Sequence, residues 1–310
     1  MKLFAQRREE SSLAFGGQAL IEGVMIRSRT HIVMCVRKPN KEILTNIEKI
    51  NPLSERYKVL GLPFLRGIVA LFETLYLGVK GIYFSANAVL EEESEKLTYK
   101  EFVIVAALAF GLASFFFIVP FLLVNLFGLT GILFNIAEAI VRLAMFLLYL
   151  ASVAMWGEFK RILQYHGAEH KTINAHEAGA TLNVPNVQKF SRLHPRCGTS
   201  FIFIVVIVSI ILFSLIPDLG FVAKLAYRVL LIPVIGAISY ELLKLSGKYK
   251  DSTITKILTT PGLAFQHLTT REPSNDMIEV AIKAVDEISK LGNPQRTDST
   301  NHKTTSQEID

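Results

Sequence analysis

The chain has 310 residues, of which 51% are hydrophobic and 19% charged, against about 25% charged in an ordinary soluble domain, and its mean hydropathy is +0.38. This composition excludes a wholly soluble protein, a coiled coil and a disordered chain, and two cysteines, Cys35 and Cys197, exclude a disulfide-dense scaffold. The net charge of +6 reads as the basic cytoplasmic loops of a membrane protein, and nothing points to nucleic acid.

Residues 1–58 read as a cytoplasmic N-terminal segment with a Gly-rich motif and a β-hairpin. The first 12 residues are polar and no apolar region with a small-residue cleavage site follows, so no signal peptide is expected. Gly16 and Gly17 permit a tight turn or a close backbone approach. The stretch they open has two readings. One is a loop closing over a site elsewhere, with Glu22 as base, ligand or substrate contact; the other is a strand start with a surface ion pair. Ile32 to Val36 is β-rich, residues 38–41 turn, and Glu42 to Thr45 returns as a hairpin.

In residues 59–98, Leu60 to Phe84 is apolar apart from Arg66, Glu73 and Lys80. These recur every seven residues and share one helical stripe. An amphipathic helix lying on the membrane or packed on the bundle is expected; a fifth span would place residues 1–58 outside. Between Glu101 and Glu138 lie 36 uncharged residues, too many for one span of about 20. Pro120, Asn125, Gly128 and Gly131 supply a break. Residues 99–155 are therefore expected to form a first membrane hairpin, with helices at about 102–124 and 129–155. Glu138 and Arg142 lie one turn apart in the favourable order and read as a neutralised pair or a functional position.

A second hairpin, 199–245, follows from the uncharged run Gly198 to Pro217 and a further span at about 222–244. Residues 246–290 read as cytoplasmic helices. One starts at Thr260-Pro261 and one is capped by Ser274 and runs to about Lys290. Residues 291–310 are polar and expected to be disordered. The expected fold class is mainly α: a polytopic helical membrane protein with about four spans in two hairpins, plus a small cytoplasmic α+β part. Residues 1–58 carry 11 Lys and Arg against 6 Asp and Glu, residues 157–198 carry 6 against 3, and the turns 125–128 and 217–221 carry no Lys or Arg. Both termini and the middle loop are therefore expected on the cytoplasmic side.

That middle loop, 156–198, is His-rich and carries the chemistry. His166 and His170 stand at i and i+4, on one helical face, where they can share a metal or simply hydrogen-bond. The order His-x-x-Glu-His is that of the inverted zinc-protease motif, with Glu169 placed to move protons. Glu177, at i+7 from His170, joins the same face, and Gly179 offers a helix stop. His194 and Cys197, three apart, can grip one metal from a turn. Cys197 also reads as a nucleophile with Arg196 lowering its pKa, or as a small buried residue at a helix start. Glu241 stands where a distant third ligand would, or pairs Lys244. Tyr165 and Lys171 are placed to stabilise an anion or are solvated. Imidazole and thiolate donors favour zinc as the divalent metal.

Four stretches carry a resemblance. They are Gly16-Gly17-Gln18-Ala19-Leu20-Ile21-Glu22-Gly23-Val24-Met25, Tyr165-His166-Gly167-Ala168-Glu169-His170-Lys171-Thr172, His194-Pro195-Arg196-Cys197-Gly198-Thr199-Ser200-Phe201 and Leu268-Thr269-Thr270-Arg271-Glu272-Pro273. In that order they resemble the YqhQ family of bacterial membrane proteins, a domain of unknown function, over nearly all the chain except the tail. The resemblance implies a bacterial inner-membrane setting and a predicted metal-dependent enzyme. It supplies no reaction.

Two functions are expected. The first is a metal-dependent hydrolase at the cytoplasmic membrane surface. Its metal would be held by His166, His170 and a third group among Glu177, His194 and Cys197, with Glu169 and Glu22 as catalytic groups. Membrane lipids would surround it, and a lipid or membrane-anchored peptide would be its substrate. The alternative is a non-enzymatic scaffold or partner-binding protein with a closed set of His166, His170, His194 and Cys197. A homo-oligomer is compatible with either. Three protein ligands with an open position favour the enzyme; four ligands with no cleft favour the scaffold.

Overall fold

A computed structural model describes residues 15–90, 98–216, 220–248 and 252–292. The polar start of the chain, the Pro217-Asp218 turn and the tail beyond 292 lie outside the described residues. Strands β1 (Gly16–Leu20), β2 (Gly23–Arg27), β3 (His31–Arg37) and β4 (Ile43–Lys49) form one antiparallel sheet in chain order. The β3–β4 hairpin is the expected one, with Cys35 opposite Thr45. The Gly16-Gly17 stretch adds a second hairpin in front of it.

Alternation along β2 and β3 sends Val24, Ile26, Val33 and Cys35 to one face and Met25, Ile32, Met34 and Val36 to the other, and both sets are buried. The strands are apolar on both faces because helices cover both. A short helix α1 (Leu53–Arg56) and a 3-10 turn lead into α2 (Leu65–Val89), which covers the second face through Leu77.

Helices α3 (Tyr99–Asn125) and α4 (Gly131–Ala154) form the first apolar hairpin. Gly128 and Gly131 take φ of +64° and +59° in its turn, where a side chain would be strained. A capping box opens α3: the Thr98 hydroxyl accepts from Glu101 N and the Glu101 side chain accepts from Thr98 N. Then come α5 (Gly157–Glu177), short α6 (Val184–Val187), α7 (Gly198–Ser214), α8 (Phe221–Lys248), α9 (Thr253–Thr269) and α10 (Asn275–Gly292). Helices α5 and α10 cover the first face of the sheet.

One helix boundary differs from expectation. Pro261 lies inside α9, which starts after Ser252 rather than at Thr260-Pro261. Tertiary packing carries the helix past the missing N–H donor, as it does at Pro120 in α3 and Pro233 in α8.

The protein is mainly helical. Three helical segments, Leu65–Val89, Gly131–Ala154 and Phe221–Leu245, are long and apolar enough to cross a membrane, and α3 and α7 contribute the shorter apolar stretches Phe115–Asn125 and Phe201–Ser214. The charged stripe of α2 is a line of three ion pairs: Arg66 with Glu241 of α8, Glu73 with Arg27 of β2, and Lys80 with Glu48 of β4. Within the bundle, Glu138 is 1% exposed and accepts from Arg228 Nη2 at 2.7 Å as well as from Arg142. Arg228 also lies over the Phe121, Phe134 and Phe213 rings.

Candidate metal centre

Tyr165, Ala168, Ile173 and Ala175 anchor α5 in the core against the sheet and α10. That packing leaves His166 and His170 facing two stretches of chain that run along the helix. In the first, Arg271 N donates to Leu163 O at 2.8 Å and Gln164 Nε2 to Glu272 O at 3.1 Å. Gly167 admits this stretch, because a Cβ there would stand 2.1 Å from Arg271 O. In the second, Asn174 Nδ2 donates to Ser191 O at 2.8 Å and Leu193 O at 3.1 Å. Lys171 ties the two together, donating to Gln188 O at 2.8 Å and pairing with Glu272. Neither Lys171 nor Tyr165 is solvated: both are buried, and Tyr165 OH donates to Glu22 at 3.3 Å.

These two stretches orient the imidazoles. His166 Nδ1 lies 2.8 Å from Thr269 O and His170 Nδ1 2.7 Å from Arg192 O. A carbonyl oxygen only accepts, so each Nδ1 carries a proton, and in the neutral ring the lone pair then lies on Nε2. The ring centroids are 4.4 Å apart, and His166 Nε2 is 3.2 Å from Cys197 Sγ. One ligand atom from each of His166, His170 and Cys197 lies within 4.8 Å of the others. Around a tetrahedral zinc, with Zn–N about 2.0–2.1 Å and Zn–S about 2.3 Å, neighbouring N and S donors stand about 3.5 Å apart. The three donors therefore fit such an ion with small shifts. An N–H given to a backbone carbonyl is also the usual outer support of a ligating imidazole.

His170 is 1% exposed. Burial pushes it below the ordinary imidazole pKa, outweighing the Cys197 hydrogen bond, and holds the neutral form that ligates metal. Glu169 is 3% exposed. Burial pushes it above the ordinary carboxylate range, against the opposing pull of His166 and His194. Glu169 Oε2 has no hydrogen-bond partner, and its carboxylate lies against Gly17, where a Cβ would stand 2.3 Å from Oε1.

Of the other residues singled out from the sequence, His194 lies beside this group, and Glu177, Glu241 and Glu22 are held in ion pairs of their own. His194 is buried and clamped by Gln266, which accepts from its N–H and donates to its C=O, both at 2.8 Å. Its ring centroid is 5.7 Å from that of His170, and its Nε2 is 3.7 Å from Glu177 Oε2. Glu177 pairs with Arg196. Sharing a helical face with His166 does not bring Glu177 near it, because eleven residues advance about 16 Å along the axis. Arg196 is thus engaged with Glu177, and Glu241 with Arg66. Glu22 takes φ +52° in the β1–β2 turn and pairs with Arg161 at 2.5 Å. Of the Gly-rich stretch it is Gly17, not Glu22, that touches the Glu169 carboxylate.

Sequence reasoning missed the Thr269 and Arg192 carbonyls and the Gln266 clamp. Main-chain acceptors leave no side-chain signature; the signal that existed was the Leu268–Pro273 stretch itself.

Over residues 62–291 the chain matches the model of a family described as "Protein of unknown function (DUF1385)". It is 37% identical over 298 residues to the Bacillus subtilis (strain 168) protein described as "Uncharacterized protein YqhQ", covering 90% of this chain and 93% of that one. No solved structure matches the chain.

Proposed function

We propose that this chain, which belongs to the DUF1385 family, is a metal-dependent hydrolase of the bacterial inner membrane, with its site at the cytoplasmic surface. The observation that carries this reading is the convergence of His166, His170 and Cys197, each imidazole turned by a backbone carbonyl so that Nε2 points inward. Two imidazoles and a thiolate favour zinc. When bound, such an ion supplies Lewis acidity and a water that ionises near neutral pH.

The chain's own groups do the rest. His166 is the more exposed of the two imidazoles, so approach from solvent is on its side. Glu169 holds or passes the proton. Gln266 and the Glu177–Arg196 pair fix the His194–Cys197 turn. The closed-site scaffold needs His194 as a fourth ligand. The convergent group is His166, His170 and Cys197 without His194, whose Nε2 is 3.7 Å from Glu177 Oε2, and this favours three protein ligands and an open position.

In this reading the spans are α3, α4, α7 and α8, with both termini and the middle segment cytoplasmic. The last two turns and more of α2 cover the sheet through Leu77, Phe84 and Ala88. A sheet with open edges cannot lie in hydrocarbon, so this C-terminal half of α2 rests at the interface, while its N-terminal half packs on α8 through Gly67 against Ala237 and Leu71 against Gly236. The test is elemental analysis of the purified full chain beside a His166→Ala, His170→Ala double variant and a Glu169→Gln variant. The reading expects about one zinc per chain, lost in the double variant and retained in Glu169→Gln. Equal metal in all three would overturn it.

A further inference from the structure

An apolar cavity of about 350 Å³ opens among α2, α3, α4, α7 and α8, with Phe201, Val205 and Ser209 of α7 along one wall. Phe201 is four residues beyond Cys197, about 6 Å along the helix axis, and Ser209 is about 12 Å deeper. That depth fits within one leaflet of a hydrocarbon core about 30 Å thick. A second connection reaches the cluster from another side. Phe146, also lining the cavity, stacks on Phe265 with centroids 5.8 Å apart, and Phe265 precedes the Gln266 that clamps His194.

Two of the lining side chains are polar and the others apolar. Ser209 Oγ donates to Val206 O in its own helix, and the Arg142 guanidinium pairs with Glu138, although its Nε has no hydrogen-bond partner. The cavity thus suits hydrocarbon, and its α7 wall begins at Phe201, about one helical turn beyond Cys197. Its volume is within the range of small-molecule sites.

We propose that this cavity seats one acyl chain of a glycerophospholipid, with the headgroup end at the His166–His170–Cys197 cluster. This deepens the hydrolase reading and rests on it: the substrate is a lipid of the adjoining leaflet.

The test uses the full chain in nanodiscs of phosphatidylethanolamine and phosphatidylglycerol, doped with a phosphatidylcholine carrying a diazirine midway along one chain. After irradiation, adducts are mapped by mass spectrometry and zinc is measured on the same samples. The proposal expects adducts on residues 201–209 and Phe146 at least fivefold above those on the lipid-facing Leu148 and Leu230. It also expects their loss in Val205→Trp of α7 and in Ile232→Trp of α8, both lining residues, with zinc unchanged. The wild-type map alone is decisive if either variant fails to fold. Adducts spread evenly over the outer faces of a zinc-loaded protein would overturn the lipid seat and leave the metal reading standing. Cavity adducts on a zinc-free protein would overturn the metal reading and the substrate role with it. Displacement by a palmitoylated peptide and not by unlabelled phospholipid would assign the cavity to another occupant and overturn the proposal.

Discussion

Gly17 of the first strand and Glu169 of the His-rich helix touch so closely that a Cβ on Gly17 would stand 2.3 Å from the Glu169 Oε1. Two stretches 152 positions apart in sequence are thereby made complementary, one lacking a side chain where the other buries a carboxylate.

Gly17→Ala is expected to destabilise the protein by about 1–3 kcal/mol through overpacking. In a Glu169→Ala background the same change should cost much less, because the obstructing carboxylate is gone. A double-mutant cycle on thermal stability checks this. Equal cost in both backgrounds would show that the two residues do not meet.

Buried charge in the bundle gives a second expectation. Glu138 serves two arginines, Arg142 and Arg228, and Arg142 Nε has no hydrogen-bond partner. Glu138→Gln removes the shared counter-charge and should cost about 3–5 kcal/mol. Arg161→Ala breaks a half-exposed pair with Glu22 and should cost no more than about 1 kcal/mol. Comparing the unfolding of the two variants in one detergent orders them; a reversed order would contradict the burial assigned to Glu138.

Much of this arrangement is legible in the sequence. The two apolar hairpins, the Ile32–Val36 strand and the i, i+4 histidines follow from hydrophobic runs and helical spacing. What spacing leaves open is which residues meet across the chain. Glu177 shares a face with His166 yet lies three turns away, whereas Cys197, distant in sequence, abuts it because α7 begins beside α5. The seven-residue stripe of α2 is visible, but its partners Arg27, Glu48 and Glu241 come from three other elements. Main-chain acceptors such as Thr269 O are invisible to any reading of side chains.

A pH expectation follows from Cys35. Burial pushes its thiol from the ordinary 9.0 up to about 11, opposed by the Thr45 hydrogen bond. The unfolded chain loses this proton near pH 9 while the folded chain keeps it to about pH 11. The stability contribution is therefore fully present below pH 9 and lost as pH rises through the folded value, by about 2–3 kcal/mol over two units. Wild type should lose stability faster than Cys35→Ala between pH 9 and 11. Parallel curves would contradict the thiol's burial.

Sidedness has its own check. Single cysteines placed at Ser191, in a chain lacking Cys35 and Cys197, should resist an impermeant maleimide in intact cells and react once the cells are opened. Labelling from outside would contradict the cytoplasmic position proposed for the cluster.

The most direct measurement of the central claim is zinc K-edge absorption on the purified full chain. The account predicts one sulfur at about 2.3 Å, two imidazole nitrogens at about 2.0–2.1 Å and one further light atom. The sulfur should be lost in Cys197→Ala. A first shell without sulfur, one with three imidazoles, or a protein carrying no zinc after purification without chelator would contradict it.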